Sequence, residues 1–385
     1  MRILINVAGM SATGPSQVAV SFINECLNYS DHQFYVFLSE RIKKELLGKI
    51  YPSNIIFYDI HQHPIRSGIV DGIKVRKYLR DLEFLLKPDV VFSVFGPSYW
   101  RPIAPHLQGY AQPHYVYPES PYFKKIGFIV KLKWFLYSII HMYAFKKCGD
   151  YFICETNDVA ERLSKLHGIL KKKIYVSSNT YGSAFVESEN ESSLLLPSRK
   201  MGEFRFLSLC SYMSHKNLDV INDLAEIIDV QDDYKSIVFV LTISDNDYIK
   251  KFSSLAKKYI LNLGRIPVDK CPQIYRECDA VFLPTLLECF SANYPEAMVM
   301  KKPIITSDLS FARDVCGTAA LYFNPLNSVD IVEKMSLLIN DSSVREELIA
   351  NGLMRLSVFD GPKKRAQKYL DVCCDIISKS HGAKK

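Results

Sequence analysis

The chain has 385 residues, of which 48 are basic and 41 acidic, so its formal net charge is +7. At about 100–200 residues per domain, this length predicts two domains that can each bury a core. Hydrophobic residues make up 48% and charged residues 23%, which excludes a wholly disordered chain. The 10 cysteines include no Cys-x-x-Cys pair, so we expect buried, reduced thiols in a cytoplasmic protein rather than disulfides or a zinc cluster.

The N-terminal segment Met1–Ala8 is apolar and predicts a buried strand. It is followed by neither the longer apolar region nor the small-residue cleavage site of a signal peptide. We find no run of about 18 apolar residues, so the sequence predicts no membrane-spanning helix. Both observations favour a chain that is made and kept in the cytoplasm.

Apolar segments of strand length alternate with helical patterns, which is typical of parallel α/β architecture. In the first half the predicted strands are Ile3–Val7, Phe34–Leu38, Ile55–Tyr58, Val90–Val94, Leu107–Ala111 and Tyr151–Cys154, with helices over Ser16–Leu27 and Val75–Leu86. The polar, aperiodic segment Ser183–Glu203 predicts a linker. In the second half the predicted strands are Phe204–Cys210, Ile237–Leu241, Ile260–Leu263, Ala280–Leu283, Pro303–Thr306 and Ala319–Tyr322.

This pattern predicts two doubly wound domains, at residues 1–182 and 183–360. We expect a terminal helix at Gly361–Ser378 to pack back on the first domain. In such folds a ligand binds beyond the carboxyl ends of the strands, so a cleft between the domains is the expected site.

The first strand leads into a glycine-containing turn that ends in Gly14-Pro15-Ser16. The spacing from Gly9 to Gly14 resembles a phosphate-binding loop, but Pro15 stands where such a loop needs lysine, which argues against an ATPase or GTPase. Pro15 fits the first position of a helix. Two interpretations stay open, a plain turn after a strand and a loop that lines the cleft, with Gly14 against a sugar or phosphate.

The segment Phe282–Met298 passes from a strand end through a loop into a helix. Because proline is tolerated only in a first helical turn, Pro295 predicts that this helix starts between Ala292 and Pro295. Glu288 in the loop and Glu296 on the first turn flank this helix start. Backbone N–H groups at Phe290–Ala292 are suited to bind a phosphate, and the two carboxylates to accept hydrogen bonds from sugar and ribose hydroxyls. Alternatively, the acidic residues only complement the helix dipole.

This E-x7-E element resembles the nucleotide-sugar site of family 4 glycosyltransferases, which have the GT-B fold. The resemblance covers most of residues 204–355 and includes the segments Gly264–Pro267, Tyr275–Ala280, Lys302–Asp308 and Gly317–Pro325. It implies that Glu288 orients the donor sugar, Glu296 the ribose, and the backbone at Phe290 and Ser291 the phosphates. Ser291 stands where the family usually has glycine, and we expect it to cap the helix.

A second family element is the sequence His215-Lys216-Asn217-Leu218. The resemblance implies that Lys216 grips the donor diphosphate and stabilises the charge on the leaving group. In some family members the arginine of this basic pair corresponds to the position of His215, and in others it corresponds to the position of Ser211. The alternatives are a surface lysine at a helix start and a neutral histidine that only caps the helix.

The N-terminal half resembles the family only loosely. Family members often carry a catalytic-site histidine after a mid-domain strand, and here Leu107–Ala111 is followed by Gln112-Pro113-His114. Either His114 or Gln112 occupies the family position, and a loop histidine without a catalytic role is the alternative.

Residues 123–147 carry six lysines and no acidic residue among many apolar and aromatic residues. The lysines interrupt the apolar run, so we expect an amphipathic helix on an anionic membrane surface rather than a spanning one. The alternative is a core helix whose lysines extend to solvent. The segment lacks the stripe of arginine and aromatic residues that nucleic-acid binding would favour.

Together these features predict a GT-B glycosyltransferase that moves a hexose from a UDP- or GDP-sugar to a glycan or lipid-linked glycan. By resemblance, transfer retains the anomeric configuration, needs no metal or other cofactor and serves cell-surface polysaccharide synthesis at the inner face of the membrane. Two alternatives are a nucleotide-sugar epimerase of similar shape and a non-catalytic, membrane-associated binding module. Turnover without an acceptor would favour the first, and binding without transfer the second.

Overall fold

The computed structural model describes residues 1–10, 13–61, 68–182, 184–187, 194–234 and 236–382. Parts of the glycine turn and of the predicted linker, at residues 11–12, 183 and 188–193, lie outside the described residues. The strands are β1 (Arg2–Asn6), β2 (Gln33–Leu38), β3 (Ile55–Asp59), β4 (Val90–Ser93), β5 (His106–Tyr110), β6 (Tyr151–Cys154), β7 (Ile174–Val176), β8 (Phe204–Ser208), β9 (Ile237–Leu241), β10 (Ile260–Asn262), β11 (Ala280–Leu283), β12 (Ile304–Ser307) and β13 (Ala320–Phe323).

The helices account for most of the segments between the strands. They are α1 (Thr13–Glu25), α2 (Glu40–Leu46), α3 (Ile69–Leu86), α4 (Tyr122–Lys125), α5 (Phe128–Cys148), α6 (Asn157–His167), α7 (Ala184–Glu187), α8 (Val220–Val230), α9 (Asp245–Lys251), α10 (Cys271–Glu277), α11 (Asn293–Val299), α12 (Ser310–Cys316), α13 (Ser328–Asn340), α14 (Ser342–Leu356) and α15 (Pro362–Gly382). The twelve predicted strands are confirmed with small shifts at their ends, and β7 was missed. Pro15 lies in the first turn of α1, close to the predicted helix start.

The chain forms two compact units. Unit 1 comprises Met1–Pro118, Gly127–Asn179 and Asp360–Lys385, and unit 2 comprises Glu119–Ile126 and Thr180–Phe359. These units agree with the predicted domains except chiefly at Glu119–Ile126. This segment falls within the predicted first domain but belongs to unit 2.

Unit 1 is a seven-stranded parallel sheet in the order β3-β2-β1-β4-β5-β6-β7. Its central strands β1 and β4 are mostly apolar and almost fully buried, as expected for a parallel sheet that is covered on both faces. In β1, Ile3 and Ile5 belong to the core on one face, while Leu4 belongs to the core on the other. The C-terminal helix α15 supplies Tyr369 and Leu370 to the first of these cores.

Unit 2 is a six-stranded sheet in the order β10-β9-β8-β11-β12-β13, and each pair of neighbouring strands is parallel. The strand order reverses between β8 and β11, so the loops that follow these two strands diverge. Their divergence leaves a crevice at the carboxyl ends of β8 and β11, where open α/β sheets bind ligands. The equivalent point in unit 1 lies between β1 and β4.

By length and composition alone, helix α5 is long and apolar enough to cross a membrane, whereas the sequence predicts a helix that lies on the membrane surface. Its mean hydropathy over an 18-residue window is 1.2, and 11% of that window is buried. The buried side chains, Met142, Phe145 and Cys148, lie in the last turns. Earlier turns expose large apolar side chains, among them Phe128 at 77% and Ile129 at 82%.

All ten cysteines are free thiols, and eight of them are buried, as the sequence predicts. Burial raises the pKa of Cys271 and Cys278 to about 12, so these thiols stay protonated at neutral pH.

We predict that Gly109→Ala strongly destabilises unit 1. Gly109 lies in β5, and a Cβ atom at this position would be 1.8 Å from the backbone oxygen of Val94, which has no room to move within the sheet. The free energy of unfolding should fall by about 3 kcal/mol, as for other overpacked buried sites. Both tryptophans, Trp100 and Trp134, belong to unit 1, so their fluorescence during urea unfolding reports on this unit.

The matched control is Gly127→Ala, because a Cβ at Gly127 has no neighbour within 4 Å among the described residues. The control should unfold within about 0.5 kcal/mol of the wild type, as exposed substitutions usually do. Equal stability of the two variants would contradict the predicted close approach in β5.

Candidate active site

Most of the predicted donor-site residues lie at the carboxyl edge of the sheet in unit 2. The loop after β8 carries Ser211, His215 and Lys216, and the loop after β11 carries Glu288. These are the two loops that flank the reversal of strand order. The sequence motifs and the topology therefore indicate the same place in unit 2.

The centre of this edge is an ion pair between Lys216 Nζ and Glu288 Oε1. The side chains are 16% and 14% exposed, so the pair is largely withdrawn from water. Burial alone would lower the pKa of Lys216, but the adjoining Glu288 carboxylate outweighs it and raises the pKa. The lysine therefore remains a cation at neutral pH, as a group that neutralises a diphosphate must.

The backbone holds the two loops together beside this pair. Leu286 N–H donates to the carbonyl oxygen of His215 at 2.8 Å. A 3-10 turn, Ser214–Lys216, ends at Asn217, whose φ of 56° is the left-handed conformation that asparagine tolerates. This turn directs the chain into the segment before α8 and fixes the position of Lys216.

His215 and Ser211 have different surroundings from the lysine. Burial, with a smaller contribution from the charge of Lys216, lowers the pKa of His215 to about 3. The imidazole is therefore neutral at pH 7 and can offer a hydrogen bond to a phosphate but no positive charge. Ser211 is exposed at the start of the same loop.

Helix α11 begins at Asn293, within the range that Pro295 predicts. The expectation that Ser291 caps this helix was wrong, because the capping residue is Ala292 and no side chain caps the first turn. The Ser291 hydroxyl instead donates to Asn293 Oδ1 at 3.2 Å. Phe290 and Ser291 are both buried, and their backbone leads directly into α11.

Glu296, one turn into α11, is part of a hydrogen-bond network that the sequence analysis missed. The hydroxyl of Tyr275 donates to Glu296 Oε2 at 3.0 Å, and Asn293 Nδ2 donates to the same hydroxyl at 3.4 Å. Asn293 Nδ2 also donates to the carbonyl oxygen of Leu209, 2.9 Å away in the loop after β8. The network thus links Ser291 to Glu296 and ties α11 to the neighbouring loop.

Burial raises the pKa of Glu296 to about 7, although the Tyr275 hydrogen bond lowers it. Tyr275 is fully buried in α10, and its partner Glu296 is 21 residues further along the chain, so no local sequence pattern indicates this contact. With this pKa, about half of the Glu296 carboxyl groups are ionised at neutral pH. The ionised form accepts hydrogen bonds from hydroxyl groups more strongly than the protonated form.

The predicted site residues of the N-terminal half lie in unit 1. Gly14 is the second residue of α1. Gln112 precedes the 3-10 turn Pro113–Tyr115, and its carbonyl oxygen accepts a hydrogen bond from Tyr110 at 2.7 Å. His114 is in that turn and stacks on Trp134 of α5, with ring centroids 3.7 Å apart and planes inclined by 17°.

The comparisons with known proteins bear directly on unit 2. Residues 197–355 match the family model described as "Glycosyl transferases group 1". This match confirms the resemblance to glycosyltransferases. It covers both loops of the Lys216–Glu288 pair and the whole Glu296 network. No curated protein sequence matches this chain closely enough to count as a relative.

Solved glycosyltransferases share the fold over nearly the whole chain. A glycosyltransferase from Rickettsia africae ESF-5 has a TM-score of 0.72 at 15% identity, over 98% of each chain. HepE of Anabaena in complex with UDP-glucose has a TM-score of 0.69 at 12% identity, over 97% of this chain and 100% of its own.

WaaG, a glycosyltransferase involved in lipopolysaccharide biosynthesis, has a TM-score of 0.67 at 11% identity, over 96% of this chain and 99% of its own. These likenesses establish the predicted fold, two parallel α/β sheets of the GT-B class. The match of residues 197–355 to the family model supports glycosyl transfer as the activity.

We predict that Glu296 makes the stability of unit 2 depend on pH. Its folded pKa lies above the ordinary value of 4.5, so the folded state binds the proton more tightly than the unfolded state. Stability from this group is therefore greatest at low pH and is lost as pH rises toward the folded pKa of about 7. The loss should total a few kcal/mol between pH 4.5 and pH 8.

Urea unfolding followed by circular dichroism checks this, once the transition of unit 1 has been assigned by tryptophan fluorescence. Glu296→Gln should lack this part of the pH dependence, so the two stability curves should diverge as pH rises. Curves that stay parallel from pH 5 to pH 8 would show that Glu296 titrates normally.

Proposed function

We propose that the chain transfers a hexose from a nucleotide-diphosphate sugar to a glycan or lipid-linked glycan, with retention and without a metal ion. The observation that carries this proposal is the Lys216–Glu288 ion pair at the strand-order reversal of unit 2. It lies within the segment that matches the group 1 glycosyl transferases. A role in cell-surface polysaccharide synthesis is suggested by the likeness to WaaG.

In this proposal the donor diphosphate approaches the largely buried lysine and replaces part of its interaction with Glu288. The bond from the sugar C1 to the diphosphate oxygen breaks, the acceptor hydroxyl oxygen bonds to C1, and its proton passes to an oxygen of the departing diphosphate. The Lys216 ammonium stabilises the negative charge on this leaving group. Glu288, released from the full ion pair, accepts a hydrogen bond from the donor sugar. The backbone at Phe290 and Ser291 holds the phosphates, and Glu296 accepts from the ribose hydroxyls.

The proposed donor class rests on one solved structure of the same fold, HepE, and on the positive charge of Lys216, which suits a diphosphate. HepE has been solved with UDP and with UDP-glucose, and a UDP-sugar is therefore the first candidate, followed by a GDP-sugar. Thermal-shift titration with UDP, GDP and ADP, each with EDTA and then with magnesium, identifies the nucleotide. A ligand at 100 times its Kd should add about 2.7 kcal/mol of stability. A shift that survives EDTA supports donor binding without a metal.

We predict that Glu288→Gln abolishes hexosyl transfer and leaves the fold intact, although with lower stability because the largely buried Lys216 loses its partner. The substitution keeps the size of the side chain but removes the charge that pairs with Lys216 and the strongest acceptor for a sugar hydroxyl. Transfer from the donor identified above to a glycan or lipid extract should fall at least about a hundredfold, as when other charge-stabilising groups are removed. The measurement is radiolabelled hexose incorporated into the acceptor.

The matched control is Glu226→Gln on the exposed side of α8, which should transfer at the wild-type rate. Full activity of Glu288→Gln would refute the role given to this residue. Turnover of the donor to another sugar nucleotide without an acceptor would instead indicate the epimerase. Tight binding without any transfer would indicate the binding module.

We further propose that α5 binds the anionic inner face of the cell membrane. Its outward-facing apolar side chains include Phe135, Leu136, Ile139 and Ile140, and each is at least half exposed. Lysines stand near both ends of the helix, where phosphate headgroups would surround an inserted apolar face.

The contacts of α5 favour a helix that lies in the membrane surface over one that crosses it. It connects the neighbouring parallel strands β5 and β6 within one sheet. Its last turns are fixed there: the carbonyl of Phe145 accepts from Gln108 Nε2 at 2.8 Å, and that of Cys148 lies 2.7 Å from His106 Nδ1. A spanning orientation would require these buried hydrogen bonds to break.

We predict that Phe135→Ser with Ile139→Ser weakens vesicle binding about tenfold or more, because two large apolar side chains no longer enter the lipid. Lys131→Gln with Lys133→Gln should weaken binding only to vesicles that contain phosphatidylglycerol, by roughly fivefold for each lysine. Flotation with phosphatidylcholine vesicles, with and without phosphatidylglycerol, measures both effects.

The control, Phe84→Ser with Leu85→Ser, alters two exposed apolar residues of α3 and should bind normally. Equal loss in the control would argue against a specific role for α5.

A further inference from the structure

The segment Glu119–Ile126, here called the strap, belongs to unit 2 although the residues on both sides of it belong to unit 1. It contains α4 and is followed directly by Gly127 and α5. Such an excursion is unnecessary for connecting β5 to β6, which are neighbours in the sheet of unit 1. The contacts of the strap within unit 2 therefore need their own explanation.

The first contact reaches the loop that carries Glu288. Ser120 is 6% exposed, and its hydroxyl donates to the carbonyl oxygen of Leu286 at 2.6 Å. The same hydroxyl accepts from the backbone N–H of Tyr122 at 3.1 Å, which orients it. Leu286 is two residues before Glu288, so this bond fixes the backbone from which the carboxylate extends.

The second set of contacts reaches the loop that carries Lys216. Lys125 Nζ donates to Asn217 Oδ1 at 2.6 Å, and Asn217 is the buried left-handed residue that ends the turn after Lys216. The hydroxyl of Ser214 donates to that of Tyr122 at 3.3 Å. The ring of Tyr122 also meets the ring of His215 edge to face, with centroids 6.3 Å apart.

The strap thus contacts both loops whose side chains form the ion pair, on the residues next to that pair. The loops are already joined by the bond from Leu286 N–H to the His215 carbonyl, and the strap adds a second connection. We propose that Ser120 and Lys125 are positioning residues that hold Lys216 and Glu288 in the geometry needed for transfer. Small displacements of such groups cost large factors in rate because the reacting atoms lose alignment.

This inference rests on the proposed function for its kinetic test, so a second readout is independent of activity. The amide hydrogen of Leu286 is bonded to His215 and reports the junction of the two loops. In Ser120→Ala and Lys125→Met, hydrogen exchange in a peptide spanning residues 284–290 should become at least tenfold faster. Exchange in the strands β8 and β11 should be unchanged, which shows that the variants are folded.

In the kinetic test, both variants should lower kcat for transfer about tenfold with little change in the KM for the donor. Lys125→Arg and Ser120→Thr retain the donating groups and should restore most of the rate. Asn217→Gly keeps the left-handed backbone but removes the acceptor, so combining it with Lys125→Met should cost no more than either change alone. Lys124→Met, an exposed neighbour on α4, is the control and should behave as wild type.

The outcomes are distinguishable. Faster exchange at residues 284–290 with a lowered kcat supports the positioning role. Faster exchange in a protein whose wild type transfers no sugar refutes the proposed function but retains the role of the strap in organising the loops. Unchanged exchange and unchanged kcat in both variants overturn the inference, and so does equal loss in Lys124→Met.

Discussion

The ion pair between Lys216 and Glu288 is the interaction around which unit 2 is organised. Each charge would be costly in its largely buried position without the other, because neither can be fully hydrated. The pair therefore requires the loops after β8 and β11 to lie close together. The hydrogen bond from Leu286 N–H to the His215 carbonyl oxygen holds them there. The left-handed turn at Asn217 and the hydroxyl of Ser120 then serve one purpose, the placement of two side chains.

The same burial has opposite effects on neighbouring groups. It leaves Lys216 charged because a carboxylate adjoins it, whereas it discharges His215, which has the lysine beside it instead. Glu296, which has a tyrosine rather than a cation as its partner, is raised to a pKa of about 7. The described part of this sheet edge therefore presents the Lys216 ammonium together with the carboxyl groups of Glu288 and Glu296, an arrangement suited to binding a diphosphate between two sugars.

The sequence predicted the strands well because parallel strands buried on both faces are continuous apolar segments, as in Ile237–Leu241. It also indicated the start of α11, since proline restricts where a helix can begin. It missed β7, which has only three residues, none of them fully buried. Ser291 was assigned a capping role from its position alone, and the competing side chain of Asn293 decided otherwise.

Contacts between distant parts of the sequence were beyond such patterns. No local sequence pattern distinguishes Ser120 or Lys125 from other polar residues near a helix. Their partners, Leu286 and Asn217, are 166 and 92 residues away in the sequence. Tyr275 was quoted only as part of a family segment, although its hydroxyl determines the environment of Glu296. For α5 the composition was evident, but only the packing of its last turns shows which side chains face outward.

The C-terminal helix α15 has a consequence for how the protein is made. Tyr369 packs edge to face against Phe22 and Phe92, and Arg365 donates to Asn179 inside unit 1. During synthesis on the ribosome, the N-terminal half emerges first, but its core lacks these side chains until α15 has left the exit tunnel. Unit 2 has its whole sequence available earlier. Unit 1, which begins synthesis first, can therefore complete its core only after all of unit 2 has been synthesised.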